Sequence, residues 1–422
     1  MRENGFKETE IGLIPEDWEV VRLGEVAEVK AGQSAPQGEK YFKNGKYPFI
    51  RVQHIDNNDY RIVSCDMITD EAVKDYRLKL FPKGTIIFPK SGAAVYLEKR
   101  AMLPFDAYIV SHLCALNSKS EKAIQKFLFY HLINKKLAEK KAEGYPTLNL
   151  SEIKEIKIPL PPLSEQQKIA KVLDKIQQAI GLQDRIIELL KNLKKSLMQK
   201  LFTEGLYGEE QKETEIGPIP KSWEVVRLGE IVEFSRKPRG LRINDSDKIP
   251  FIPMELIPDE GKYAKWVMKE YSEISSGTFF LREDIIIAKI TPCFENGKQA
   301  ILTNLPVGFG YATTEIIAFH PKNEEVVKEY IFEYLRMPKI RADLTSKMEG
   351  ATGRKRLPRY ALENLLIPLP PLEEQKQIAH ILSTVDKKIE VEQRRKEVLK
   401  DLFKTMLHKL MSGEIRLKEV EI

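Results

Sequence analysis

The octapeptide WEVVRLGE occurs twice, from Trp18 and again from Trp223. Extended outwards, KETEIGLIPEDWEVVRLGEVAE from Lys7 is matched by KETEIGPIPKSWEVVRLGEIVE from Lys212, and IPLPPLSEQQKIAKVL from Ile158 by IPLPPLEEQKQIAHIL from Ile367. Two anchors repeated in the same order mean a tandem duplication. A solenoid would show a period of about twenty to fifty residues several times over, whereas this far longer unit appears only twice. At 422 residues the chain also exceeds what one hydrophobic core comfortably serves. Two homologous domains with an internal pseudo-two-fold repeat follow.

Between the anchors the halves diverge, but YPFIRVQHI still answers IPFIPMELI, and GTIIFPKSG answers EDIIIAKIT. Short apolar runs flanked by Pro, Gly or Asp read as strands that keep their packing face. A strand-rich stretch opens each half (about 15–117 and 220–320), a short helical segment follows, and a Gly-containing loop leads to PLPPL. Those prolines cannot continue a helix and mark a stiff joint.

Beyond each joint runs a long proline-free segment, Glu165 to Leu201 and Glu374 to Leu410. Ile169, Val172, Leu173, Ile176, Ile180, Ile186, Ile187, Leu190, Leu193, Leu197 and Leu201 recur at a, d and e heptad positions. Ile378, Ile381, Leu382, Val385, Ile389, Leu399, Leu402, Phe403, Met406 and Leu410 copy the pattern. Each helix would be roughly 55 Å long. Neither can bury its stripe against itself, and the sibling helix is the nearest partner. Gln183 and Glu392 are the only polar residues in the two a series and fall at the same middle position. Middles meet when the helices run antiparallel, so Gln183 is expected to donate to Glu392 and fix the register; the competing reading has both side chains pointing to solvent. The expected fold class is α+β: two globular mixed α/β domains separated by two long helices forming an antiparallel coiled coil. Along the chain this divides into 1–157, a first helix at 158–205, 206–366, and a second helix with a C-terminal tail at 367–422.

Three scattered cysteines, Cys65, Cys114 and Cys293, form no CxxC pair, which favours a reducing compartment and argues against a disulfide framework or a structural zinc. The charged start MRENGFKETEIG is unlike a signal peptide, and no apolar run spans a bilayer, so a cytoplasmic protein without a membrane partner is expected. No phosphate loop of the GxxxxGKS/T kind, HExxH or GxSxG is present, and the acidic IPDEGK reads as a solvated turn. No catalytic residue, metal ligand or bound cofactor is assigned.

Positive and hydrogen-bonding residues instead sit in loops between expected strands. SRKPRGLR supplies Arg236, Lys237, Arg239 and Arg242, and GATGRKRLPR supplies Arg354, Lys355 and Arg356. Lys289 and Thr291 follow the IIIA run. Such clusters attract backbone phosphates, as the net charge of +6 also allows. In the first half the corresponding places are richer in amides: Arg51, Gln53, His54, Asn57 and Asn58, then Lys90, Ser91 and Tyr96. Asn and Gln suit the adenine edge, and Arg and Lys the guanine edge, in the major groove; for any one of these residues, an ordinary turn former is the competing reading.

The duplicated WEVVRLGE, the IPLPPL joint heading each long helix and the GATGRKRL loop together resemble the specificity subunits of type I restriction-modification systems, over essentially the full chain. The resemblance implies two target recognition domains, each reading half of an interrupted double-stranded DNA sequence, and a helical spacer docking two modification subunits. Those subunits would bind S-adenosylmethionine and methylate adenine, and separate restriction subunits would translocate and cut DNA. This chain would recognise without catalysis. A spacer of the length above accommodates half-sites about 34 Å apart. The first half has GYPTLNLSEI where the second has GATGRKRLPR, so Arg354 and Arg356 lack clear counterparts, and Tyr145 and Asn149 are weaker candidates. A self-contained nuclease or methyltransferase and a coiled-coil adaptor binding only protein are the alternatives.

Overall fold

The computed structural model describes residues 5–56, 59–119, 121–137, 147–351 and 353–420. It divides into two compact units, one formed by Met1–Leu182 with Lys396–Ile422 and the other by Gln183–Arg395. Residues 1–157 therefore fall in the first unit and 206–366 in the second, while each long helix is cut near its middle.

The repeated anchors are partners in space. Glu19–Arg22 pairs antiparallel with Lys157–Leu160, Val21 facing Ile158, and Glu224–Arg227 pairs with Leu366–Leu369, Val226 facing Ile367. Within each unit the two conserved stretches thus complete one two-stranded ladder, which is why neither could drift alone. The Trp18 indole N–H donates to Glu165 Oε2 at 3.1 Å and the Trp223 indole to Glu374 Oε2 at 2.9 Å, both indoles fully buried. The next residue, Gln166 or Gln375, accepts from the backbone N–H of Ile124 or Val327 and so pins the short helix that follows each strand-rich stretch. A buried donor left unpaired is costly, and this explains why the Glu-Gln pair after PLPPL is kept in both copies.

In the first unit the main sheet orders its strands Ala27–Ala31, Leu113–Ser118, Ile86–Pro89, Ala101–Met102; in the second, Val232–Phe234, Ile316–Pro321, Ile285–Ala288, Gln299–Ile301. The central strands Ile86–Pro89 and Ile285–Ala288 are buried throughout, as their unbroken apolar runs require. A smaller sheet in each unit carries the other faint correspondence, Tyr47–Ile50 and Lys248–Ile252, each followed by a 3-10 turn (Val52–His54, Met254–Leu256).

The long helices run Leu163–Leu201 and Leu372–Ser412. In the first unit Ile169 and Leu173, near the start of the first helix, share a core with Phe403, Leu407 and Leu410, near the end of the second. In the second unit Met198 and Leu201 share a core with Ile378 and Leu382. Start meets end in each, so the helices run antiparallel. Gln183 Nε2 donates to Glu392 Oε2 at 2.5 Å and to the Glu392 carbonyl at 3.2 Å, with both side chains buried. The Lys388 ammonium, then the Gln183 amide, hold the Glu392 carboxyl below its usual range. Not all of the apolar stripe enters the seam: Ile186, Leu193 and Leu402, all at d, are exposed, whereas Ile187, Ile389 and Phe403 at e are buried, so the stripe is wider than the seam and its a and e edge is the one covered.

After each helix the chain turns through a left-handed glycine. Gly205 has φ +68° and Gly413 φ +76°, and a Cβ at Gly413 would collide with Pro15. In the first unit this turn delivers Arg416, whose Nε and Nη2 donate to Glu165 Oε1 and Oε2 at 2.8 and 2.9 Å and whose Nη2 also reaches Asp17 at 2.9 Å. Leu417 beside it is buried.

Candidate nucleic-acid interface

In the second unit, two stretches far apart in sequence form one surface. The strand Ile285–Ala288 runs out at Lys289, whose carbonyl accepts from Leu357 N–H at 2.7 Å. Thr291 donates from N–H and Oγ1 to the Lys355 carbonyl at 3.0 and 3.3 Å. Arg356 and Glu349 exchange backbone bonds of 2.7 and 2.9 Å, which closes the loop into a small hairpin. Arg354, Lys355 and Arg356 are exposed on it.

Arg356 is aimed by a carboxylate. Its Nε and Nη2 donate to Glu315 Oε2 and Oε1 at 2.9 and 2.7 Å, and the Glu315 carbonyl accepts from Lys289 N–H at 2.9 Å. The guanidinium holds the Glu315 carboxyl below its usual range. This fork occupies two of the five donors of an arginine, so the remaining N–H groups are presented in a fixed plane. Glu315 carried no motif in the sequence; the available signal was its place immediately before the strand Ile316–Pro321.

Arg236, Lys237, Arg239 and Arg242 are all exposed. Lys237 donates to Tyr271 OH at 3.1 Å, and this bond lowers the tyrosine pKa. Arg236 lines a groove of about 560 Å³ together with Arg227, Lys322 and Arg359. Arg359, which follows the Arg354–Arg356 run, lies 4.1 Å over the Phe234 ring.

The first unit repeats the backbone plan with other side chains. Lys90 N–H donates to the His112 carbonyl at 2.9 Å, Leu148 N–H donates to the Lys90 carbonyl at 2.7 Å, and Ser91 bridges to Thr147. Thr147–Leu148 thus stands where Arg356–Leu357 stands in the second unit, and His112 where Glu315 stands. Of the stretch answering the basic loop, the described residues Thr147 and Leu148 keep the backbone position with unrelated side chains. Ser91 Oγ and His112 Nδ1 are 2.8 Å apart. Asn149 N–H donates to Glu152 Oε2 at 2.9 Å, so this residue opens the helix Leu150–Lys154. Asn57, Asn58 and Tyr145 lie outside the described residues.

Two first-unit candidates are absorbed by the fold. Arg51 Nε meets Asp66 Oδ2 at 2.5 Å, and its guanidinium packs over Phe42 and Phe49. His54 is buried, its Nδ1 accepts from Arg51 N–H at 3.0 Å, and burial lowers its pKa. Both brace the corner after Tyr47–Ile50, so His54 offers no open edge to a ligand. Gln53 between them is exposed, as is Tyr96.

Among the described residues no group of three or more His, Cys, Asp or Glu side chains could hold a metal ion, and no helix is long and apolar enough to cross a membrane. Ser235, His320 and Asp284 come together, but Ser235 Oγ and His320 Nδ1 both bind the same buried carboxylate, at 2.5 and 2.9 Å. A nucleophilic triad needs the imidazole between the other two.

The family model described as type I restriction modification DNA specificity domain matches twice, over residues 15–192 and 220–401. A Methanocaldococcus jannaschii chain named as the MjaX type I restriction enzyme specificity subunit is 31% identical over 99% of this chain and 98% of its own length. The MjaVIII specificity subunit of the same organism is 29% identical over the same shares. Among solved structures, the type I restriction-modification S subunit from M. genitalium covers 97% of this chain and 98% of its own length with a TM-score of 0.55 at 17% identity. A chain from a study of complex assembly and conformational transition of the type I R-M system covers 95% and 99% with a TM-score of 0.58 at 19% identity. These two likenesses speak for the fold. With a duplicated scaffold, antiparallel long helices, exposed basic loops and two family matches spanning most of its length, the chain belongs to the type I restriction-modification DNA specificity family, as a specificity subunit.

Proposed function

We propose that each unit reads one half of a bipartite duplex target and that the chain performs no chemistry itself. The observation that carries this is the shared backbone plan with exchanged side chains: Lys90, Ser91, His112 and Thr147 in one unit, Lys289, Glu315 and Arg356 in the other. A common frame with different presented groups is what two unlike half-sites require. The proposed contact set is Gln53, Lys90, Ser91 and Tyr96 in the first unit and Arg236, Lys237, Arg239, Arg242, Lys289, Thr291, Arg354, Lys355 and Arg356 in the second. The strand-rich parts, 1–157 and 206–366, would be the recognition domains, and 158–205 and 367–422 the spacer.

The specificity-subunit assignment implies DNA, modification subunits and restriction subunits as partners. We infer further that two modification subunits dock along the helices, that S-adenosylmethionine binds to them rather than to this chain, and that the complex works in the cytoplasm. The test is to map methylated adenines in DNA exposed to the assembled complex, before and after residues 220–357 are exchanged for those of a relative. One half of the recognised sequence should change. A change in both halves, or methyl transfer by the purified chain alone, refutes the reading.

A further inference from the structure

The two units differ in chemistry at one spot beside the helices. In the first unit Tyr60, Tyr130 and Phe403 form an aromatic cluster, with Phe403 6.3 Å from Tyr60 and 6.0 Å from Tyr130. Matching backbone bonds align the units: Val63 N–H to the His54 carbonyl answers Lys265 N–H to the Leu256 carbonyl, which sets Tyr60 against Lys262. The Gln166 and Gln375 anchors likewise set Tyr130 against Glu333 and Phe403 against Lys194. Three aromatic positions have become three charged ones. Lys194 and Glu333 pair at 2.8 Å, and Lys194 also reaches Asp386 at 2.6 Å.

Where the aromatic cluster would be, the second unit has an open cavity of about 550 Å³. Its carboxylates are already matched: Glu260 by Lys191, Asp386 by Lys194 and Glu390 by Arg394. Lys191 and Lys194 are used in those pairs, but the cavity has further lining cations. The ammonium groups of Lys195, Lys262 and Lys387 border it without a hydrogen bond or ion pair to any described residue, that of Lys262 lying 5.8 Å over the Tyr263 ring. Arg336 Nη1 is buried without a hydrogen-bond acceptor and approaches Asp386 only to 3.6 Å. Half-exposed Tyr263 and Pro258 supply an aromatic and an apolar wall. The repeat shows that the fold does not require this cavity, since the sister unit fills it.

We propose that this cavity binds phosphate groups, through Lys195, Lys262, Lys387 and Arg336, in a ligand of nucleotide size whose base rests on Tyr263. The volume lies in the usual range for small-ligand sites, roughly 300–1,000 Å³, and excess unpaired cations at a partly desolvated surface favour a polyanion. Free nucleotide and duplex backbone could both supply the phosphates.

The test uses the full-length chain, titrated calorimetrically with ATP and with inorganic tripolyphosphate. Both should bind, ATP more tightly, and Lys262→Tyr, which installs the residue of the sister unit, should weaken each at least tenfold. Lys387→Gln, on the exposed rim, should weaken them without touching the core. If the source is DNA, neither probe binds, but Lys262→Tyr in the assembled complex lowers the slope of log affinity against log salt by about one contact. Absence of probe binding with an unchanged slope, or probe binding that both variants leave intact, overturns the proposal.

Discussion

The exchange of an aromatic contact for an ion pair between sister units predicts a strongly non-additive pair of substitutions. Lys194 is 7% exposed and Glu333 1%. Lys194→Phe alone leaves Glu333 buried without its cation, and breaking a buried pair from one side costs about 3–5 kcal/mol. Glu333→Tyr alone should cost less, about 1–3 kcal/mol, the range for an imperfectly satisfied buried group, because Lys194 keeps Asp386 at 2.6 Å. The double variant recreates the Tyr130–Phe403 contact of the first unit and leaves Asp386 to Arg336. Well-packed apolar replacements of buried ion pairs are often neutral or stabilising, so the double variant should lie within about 1.5 kcal/mol of the parent. In a unit of this size the Lys194→Phe loss lowers the midpoint of thermal unfolding by roughly 6–20 °C. Differential scanning calorimetry of the four proteins reads both the losses and their coupling. If the double variant falls by the sum of the singles, the two sites are independent and the equivalence drawn from the repeat is wrong.

Other expectations are as direct. His131 is buried with neither ring nitrogen hydrogen-bonded, and burial pulls its pKa to about 3. The unfolded chain then takes up a proton below pH 6.5 that the folded chain refuses, so stability present above that pH is lost as pH falls, at about 1.4 kcal/mol per unit. His131→Phe should flatten the acid limb of a urea-unfolding series by about 2 kcal/mol between pH 7 and 5; an unchanged limb contradicts this. Replacing both Gln183 and Glu392 by Leu should keep the helices paired but admit shifted registers, detectable as new cysteine cross-links across the seam, and a single unaltered pattern removes the registering role. Arg354→Ala should weaken binding by a similar factor on all sequences and reduce the salt slope by about one, whereas Arg356→Ala, if it reads a base, should cost about 1–3 kcal/mol and relax one position. Uniform weakening by both would make Arg356 a phosphate contact.

Much of this was legible because duplication labels its own constraints. WEVVRLGE and IPLPPL survive in both copies since they pair with each other and carry the Trp18–Glu165 and Trp223–Glu374 bonds. The helical seam and its polar middle could be read from spacing alone. The interface was less accessible, because it depends on neighbours distant in sequence: nothing local says that Lys289 and Thr291 meet Lys355 and Leu357, or that Glu315 holds Arg356. His54 shows the opposite error of local reading. Its amide-rich surroundings suggest an exposed turn, yet the corner after the strand turns the ring inward against Arg51 and Asp66. Thr147 escaped notice as the partner of Ser91 because only backbone position relates it to Arg356.

The turn that carries Arg416 to Glu165 and Leu417 into the first core bears on how the protein is made. The second unit is one uninterrupted run, Gln183–Arg395, while the first needs residues from Lys396 onward. On the ribosome the half translated later therefore has all its parts first. The earlier half waits, with Trp18 and Glu165 lacking their final neighbours, until the closing stretch emerges. Shortening the chain before Arg416 should accordingly injure the lobe built from its beginning and spare the one nearer the cut.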